Sequence, residues 1–346
     1  MGRPCFLSLR IKTGTSASGG VSMYCGTAEF VCAPSAVRHI PVLLNECMGC
    51  LQPERGGFFA DLTFGGGGHS REILEASPEN QLLGMDCDPD AAQRASVLCE
   101  EFSDRFQFHD RSFSELNKVS GANEFDGVLM DLGISSFQLM EPEKGFSFRL
   151  DAPIDMRLDP RRGIGAAEFL ETASEESLIR AVREYGEEKK WRRVVHAIIS
   201  ARGTGLLSRT ISAADVVSKA VGGRSPRQRI HPATKTFQGI RIAINGELEA
   251  LALRLPQAVN ALKPGGVLAV ISFHSLEDRM VKRFMRKLAG RPEHKHDSRM
   301  LHERSVFGEM VTTKAVIPTK EEVESNPRSR SARLRIFRKT KMEEIV

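Results

Sequence analysis

Residues 61–69 read Asp-Leu-Thr-Phe-Gly-Gly-Gly-Gly-His, and no other stretch constrains the fold as tightly. A short apolar run, Phe58–Phe64, ends in these glycines and gives way to a helical pattern over Ser70–Ala76. Glycine lacks Cβ, so it adopts positive φ without steric cost and lets a ligand approach the backbone. The segment therefore predicts a strand, a tight turn able to hold a ligand, and a helix.

The same alternation recurs. Gln81–Asp86 is a second apolar run, followed by a helical segment over Asp90–Phe102, and Arg105–His109 fits a third strand. Phe125–Asp131 and Val267–Phe273 are apolar throughout, as expected of parallel strands buried on both faces. Alternating strands and helices predict an open α/β sheet with crossover helices. The interval from about 132 to 266 is too long for a loop. It carries helical patterns at Ala166–Thr172, Glu175–Tyr185, Lys189–Ala201 and Ala213–Val221. Phe237, Ile240, Ile244, Leu248 and Leu251 then share one helix face. A mostly helical insertion is expected inside the sheet domain. Val311–Ile317 and Ala332–Lys339 are expected to finish the sheet as an antiparallel pair.

Charge divides the chain unevenly. The formal net charge of +5 separates into −13 over residues 1–188 and +18 over 189–346. A basic half of that size predicts a polyanionic partner. Three basic runs stand out: Arg224, Arg227, Arg229, Lys235 and Arg241; then Arg279, Lys282, Arg283, Arg286, Lys287 and Arg291; then Arg328, Arg330, Arg333, Arg335 and Arg338. With 22 aromatics in 346 residues, an extended single-strand stacking platform is not expected. No stretch approaches 18 consecutive apolar residues, which excludes an obvious membrane helix. Seven cysteines are an odd, scattered set that predicts no disulfide framework. Cys47 and Cys50 form a C-x-x-C at helical spacing without a second pair, so a core helix is expected there in place of a zinc or redox site. His294 and His296 lack further ligands, and no metal is expected.

The strand ends favour a nucleoside cofactor. Asp86 closes the second run, where an acid commonly takes the ribose hydroxyls of an adenosine. The compressed GGGGH lacks the G-x-G-x-x-G spacing of a dinucleotide site. A cationic sulfonium suits the carboxylates Asp61, Asp86 and Asp131, and Leu262-Lys-Pro-Gly-Gly266 is a turn frequent in S-adenosylmethionine (SAM) methyltransferases. The reading at this point is SAM, with NAD as the alternative.

Longer motifs sharpen it. HIPVLLNE from His39, DLTFGGGGHS from Asp61, MDLGISSFQL from Met130, KGFSF from Lys144 and DAPIDMRLDP from Asp151 occur in order. YGEEK from Tyr185, HPATKTFQGIRIAIN from His231, ISFHSLEDRMVKRF from Ile271 and NPRSRSARLR from Asn326 follow. Over residues 39–340 the chain resembles the bacterial small-subunit rRNA cytosine-N4-methyltransferase family, RsmH or MraW. The resemblance implies a class I SAM-dependent methyltransferase (Rossmann-like) sheet with an inserted helical domain. Its expected boundaries are a 1–35 extension, a methyltransferase part over 36–139, a helical substrate-recognition insertion over 140–247, and a second methyltransferase part with a basic tail over 248–346. Residues 1–35 are expected to be disordered or to follow from a mis-assigned start. The resemblance also implies methylation of the cytosine at position 1402 of 16S rRNA, in the decoding region of the small ribosomal subunit.

By the same resemblance, SAM is contacted by Gly67, Gly68, His69, Asp86, Phe113, Asp131 and Gln138. Phe137, Met140, Lys144, Ala152 and Gly239 depart from the family's usual Pro, Asp, Arg, Gly and Ala. For the chemistry, a weakly nucleophilic exocyclic amine needs positioning and a proton acceptor. Asp131 is the candidate acceptor or a cofactor ligand only, Ser135 or Ser136 would help to hold the base, and His274 would contact substrate or anchor its loop. Asp155-Met-Arg157 forms either an Asp–Arg pair or an RNA contact. The target base must be extruded or already unpaired. The expected location is the bacterial cytoplasm, with the mitochondrial matrix as the alternative raised by an N-terminal stretch without acid before Glu29.

Overall fold

The computed structural model describes residues 41–110, 116, 124–223, 230–294 and 296–345. Expectations for residues 1–35, Phe113, Arg224, Arg227 and Arg229 lie outside the described residues.

Among the described residues seven strands make one sheet: β1 Phe58–Asp61, β2 Gln81–Asp86, β3 Phe106–Asp110, β4 Phe125–Asp131, β5 Leu262–Ser272, β6 Gly308–Met310 and β7 Arg333–Lys339. Their order is β3-β2-β1-β4-β5-β7-β6. β1 to β5 are parallel, and β7 runs antiparallel to both neighbours. The order reverses between β1 and β4, and the crevice at the carboxyl ends of such a pair is where open sheets bind ligands.

Two apolar layers clamp the sheet because successive strand residues point to opposite faces. Phe59, Leu82, Leu129, Ala269 and Ile271 pack with α1 (Leu44–Leu51), α2 (Gly68–Ala76) and α3 (Pro89–Phe102). Their neighbours Ala60, Leu83, Val128, Met130, Leu268 and Val270 pack with α10 (Glu247–Ala261) and α11 (Ser275–Leu288). Cys47 and Cys50 lie on α1, where burial pushes the Cys47 thiol well up and that of Cys50 up to about 12. Thiols so disfavoured as thiolates are poor metal ligands and poor nucleophiles, and Cys47 packs as core.

Between β4 and β5 the chain forms α4 (Ser136–Met140), α5 (Ala166–Thr172), α6 (Glu175–Ile179), α7 (Trp191–Ala201), α8 (Thr210–Ala220) and α9 (Thr234–Asn245). These surround a third apolar cluster that includes Leu170, Leu178, Val194, Ile198, Val217, Phe237 and Ile240.

Four expectations need correction. The face running from Phe237 to Leu251 belongs to two helices: Gly246, in the left-handed region at φ 58°, ends α9 before α10 begins. Phe237 and Ile240 then face the helical cluster while Leu251 faces the sheet. The helix over Glu175–Tyr185 changes to a π-helical turn at Arg180–Tyr185. That turn packs closely on α9, where a Cβ on Gly239 would overlap the Ala181 carbonyl oxygen. The glycine that departs from the family's usual alanine therefore matches this close approach. β5 begins at Leu262, not Val267, and absorbs the Lys-Pro-Gly-Gly turn as an irregularity in its pairing with β4. Finally, the edge strand is Gly308–Met310; of the expected Val311–Ile317 run, Val316 makes an isolated bridge to Leu334.

Candidate cofactor and substrate site

Four strand ends and a helical cap enclose one cavity of about 780 Å³, lined by Gly65, Gly66 and Gly68 of the glycine turn but not Gly67, and by Asp86, Asp131, residues 132–139, Arg241, Glu247, Glu277 and Arg328. The turn is built tightly. Gly65 and Gly67 have φ of 54° and 75°, and a Cβ on Gly66 would strike the ring of Phe137. Arg94 stacks on the other part of this arrangement, its guanidinium 4.8 Å from the Phe137 centroid and its Nε donating to the Gly65 carbonyl at 2.8 Å.

Three carboxylates mark the ends of β1, β2 and β4. Asp61 accepts from the Ser70 hydroxyl at 2.7 Å and the Thr63 amide at 3.1 Å. Asp86 accepts from the Gly65 amide at 2.7 Å and the Asp88 amide at 2.9 Å, so it braces the turn as well as lining the cavity. Burial raises all three acids: Asp61 is pushed up to about 6, Asp86 is raised, and Asp131 is raised well above the usual range. For Asp131 the nearby charges of Asp61 and Glu277 add to burial. Its Oδ1 is buried without a hydrogen-bond partner among the described residues. Its Oδ2 lies 3.9 Å from His69 Nδ1. His69 Nε2 sits 3.0 Å from the Val42 carbonyl, which only accepts, so Nε2 carries a proton.

The remaining expected residues divide between the cavity and its frame. Ser135 caps α4 by accepting the Gln138 amide at 3.2 Å, and Ser136 is buried. Gln138 lines the cavity, but its amide bridges the Ser135 N–H at 2.9 Å and Asp88 at 2.9 Å. Gly68 abuts Pro41, leaving no room for a side chain. Of its two expected roles His274 shows the anchoring one, and it also lines a neighbouring groove. Its Nδ1 accepts the Glu277 amide at 3.4 Å, capping α11, and its Nε2 lies 3.2 Å from the Glu277 carboxylate. Glu247, His274 and Glu277 place three donor atoms within 4.8 Å of one another. A neutral ring whose Nδ1 accepts a hydrogen bond holds its proton on Nε2, which leaves no lone pair there for a metal. Arg241 further binds Glu247 through two 2.8 Å hydrogen bonds.

Several members of the basic runs are paired. Arg241 joins Glu247, Arg279 joins Glu187 at 3.1 Å, Arg335 is buried against Asp278 at 2.7 Å, and Arg338 lies 3.5 Å from Glu309. Arg328 and Arg330 are exposed on the cavity rim. Asp155 and Arg157 pair with each other at 2.7 Å, which answers the Asp–Arg question. Asp88 was not anticipated: it caps α3 and takes Lys144 at 2.9 Å. The Asp-Pro-Asp at 88–90, a cap followed by proline at the first helical position, was the available signal.

Comparison with known proteins follows this geometry. The model of the MraW methylase family matches residues 36–340. The ribosomal RNA small subunit methyltransferase H of Synechococcus elongatus is 43% identical over 307 residues, covering 88% of this chain and 95% of that protein. The protein of the same name from Nitrosococcus oceani is 46% identical over 309 residues, covering 87% and 96%. A solved rRNA methylase from Streptococcus thermophilus superposes with a TM-score of 0.38 at 7% identity, covering 85% of this chain and 95% of that one.

Proposed function

The chain belongs to the MraW methylase family, and from that premise we propose that it methylates the N4 amine of cytosine 1402 in small-subunit rRNA with SAM as methyl donor. The observation that carries the reading is the uncompensated carboxylate cluster at the β1/β4 crevice, joined to a glycine turn that admits close approach. The relatives' printed names supply the small-subunit rRNA. Their bacterial sources favour the bacterial cytoplasm over a mitochondrial location.

The cavity fits SAM by charge and by shape. Asp86 and Asp131 line the cavity and Asp61 is buried behind them, all without a lysine or arginine ion pair among the described residues, and buried uncompensated carboxylates are stabilised by a cation. Asp86 would hold the ribose, and Gly67, Gly68 and His69 would border the cofactor. When bound, SAM supplies a methyl group already activated on sulfur. The protein's share is to hold the amine and to take its proton. Asp131 Oδ1, buried and unpartnered, is the acceptor. His69 Nδ1 lies 3.9 Å from the other carboxylate oxygen, Oδ2. Ser135 and Ser136, at the start of α4, border the base.

We assign base presentation to the helical module over 140–247, because it lids the cavity with Leu158, Arg162 and Arg241. The target nucleotide must be unstacked to enter. Labelled methyl transfer to small-subunit particles from a strain lacking this activity, followed by nucleoside analysis, tests the proposal. One N4-methylcytidine at the decoding-region position is expected; no label, or label on another base, overturns it.

A further inference from the structure

Beside the main cavity lies a second groove of about 660 Å³, and the two share Phe273, Arg330 and Ser331 as a common wall. The groove therefore adjoins the cavity assigned to the cofactor and the target base. Its floor is α11. Ser275, Arg279, Lys282 and Arg286 recur at spacings of 4, 3 and 4 along that helix, a single stripe. Val281, Met285 and Leu288 turn the other way into the core. The facing wall carries Ile317, Pro318, Arg330 and Arg333.

Charge pairing leaves cations available in this groove. Glu187 neutralises Arg279 and also accepts from the Ser275 hydroxyl at 2.5 Å. Asp278, the acid within the groove, is engaged by buried Arg335 at 2.7 and 3.2 Å. Arg333 reaches Asp278 only at 3.7 Å and is 54% exposed. Lys282 and Arg330 are exposed and make no ion pair among the described residues. Three cations thus line a concave surface whose acid already has a closer partner. Elsewhere in the basic runs Arg241, Arg335 and Arg338 are held by acids.

We propose that this groove is the track for the single RNA strand flanking the target nucleotide, with phosphates taken by Arg330, Arg333 and Lys282 and a base resting on Ile317, which is 65% exposed. The inference rests on the rRNA reading above. It differs from a general basic surface in naming a direction: the strand leaves the cavity over Arg330 and follows α11.

The test compares three full-length variants with the parent. The first is Lys282→Gln with Arg333→Gln; the second, a charge-matched control outside both cavities, is Arg55→Gln with Lys219→Gln; the third is Ile317→Ser. Filter binding and methyl transfer are measured with small-subunit particles and with naked rRNA across a salt series. Removing two single-strand phosphate contacts is expected to raise Kd and KM about tenfold near physiological salt and to reduce the salt slope by about 1.4. The kcat at saturation and SAM affinity stay unchanged. Ile317→Ser is expected to weaken binding several-fold at an unchanged salt slope. A groove variant indistinguishable from its charge-matched control overturns the track. Weakening confined to assembled particles also overturns it, because the groove would then hold a protein of the particle. Failure of the parent protein itself to methylate rRNA overturns the underlying reading instead.

Discussion

Asp61 and Asp131 at the carboxyl ends of β1 and β4 behave oppositely to Asp155 and Asp159 in the strap that follows α4. All four are aspartates in partly or fully enclosed surroundings. Burial raises Asp61 and Asp131, and their hydrogen-bonding partners are hydroxyls, backbone amides or none. In the strap, burial pushes upward too, but Arg157 and Arg161 more than reverse it, and Asp155 and Asp159 fall below the usual range. Arg161 then carries on to Asp110 at the end of β3, at 2.8 Å, tying the strap to the sheet. A carboxylate with its cation built in serves the frame. One without it is left for something that binds.

The largest expected effect tests that distinction at Asp131. Asp131→Asn keeps the shape and removes the proton acceptor, so methyl transfer in single turnover should fall about 10²–10⁴-fold with little change in rRNA affinity. A wild-type rate would place Asp131 with the frame. Next comes Asp61→Asn. A carboxyl raised from about 4 to about 6 favours the folded state below the lower value and loses that advantage as pH rises through the upper one. The variant should match the parent near pH 4 and exceed it by about 3 kcal/mol above pH 7, read by denaturant unfolding, while binding SAM more weakly. Equal stability at both pH values would sink the argument that this charge is held at a cost. The smallest effect belongs to the strap. Arg157→Ala should cost less than about 1 kcal/mol, since the pair is partly exposed. Because the Asp155 pKa is lowered, that contribution is present above the ordinary carboxylate range and lost as pH falls through the folded value. Unfolding curves should show the difference present at pH 7 and shrinking as pH falls below the ordinary carboxylate range.

These contrasts also show where sequence reading stops. Patterns whose cause is local were legible. Gln81–Asp86 and Phe125–Asp131 are strands at the predicted bounds, because an uninterrupted apolar run of that length buries both faces. Ala166–Thr172 is a helix at its predicted bounds as well. The break at Gly246 was missed because apolar spacing continues across it, although its two halves face different cores. The edge strand was misplaced because Gly308–Met310 is short and its pairing depends on β7, more than twenty residues away.

The site divides in the same way. The chain itself determined the glycine turn, the acids at the ends of β1, β2 and β4, and the family's motifs, since each sits within a few consecutive residues. It also set the surplus of positive charge in the second half. Tertiary structure alone decided which charges are available. Arg241 and Arg335 look like phosphate ligands in sequence, yet Glu247 and Asp278 hold them; Lys282, Arg330 and Arg333 are left to line a groove. Arg335 reaches Asp278 across 57 positions of sequence. Composition records how many cations a chain has. Whether a cation faces solvent or a carboxylate depends on partners that only folding brings within hydrogen-bonding distance.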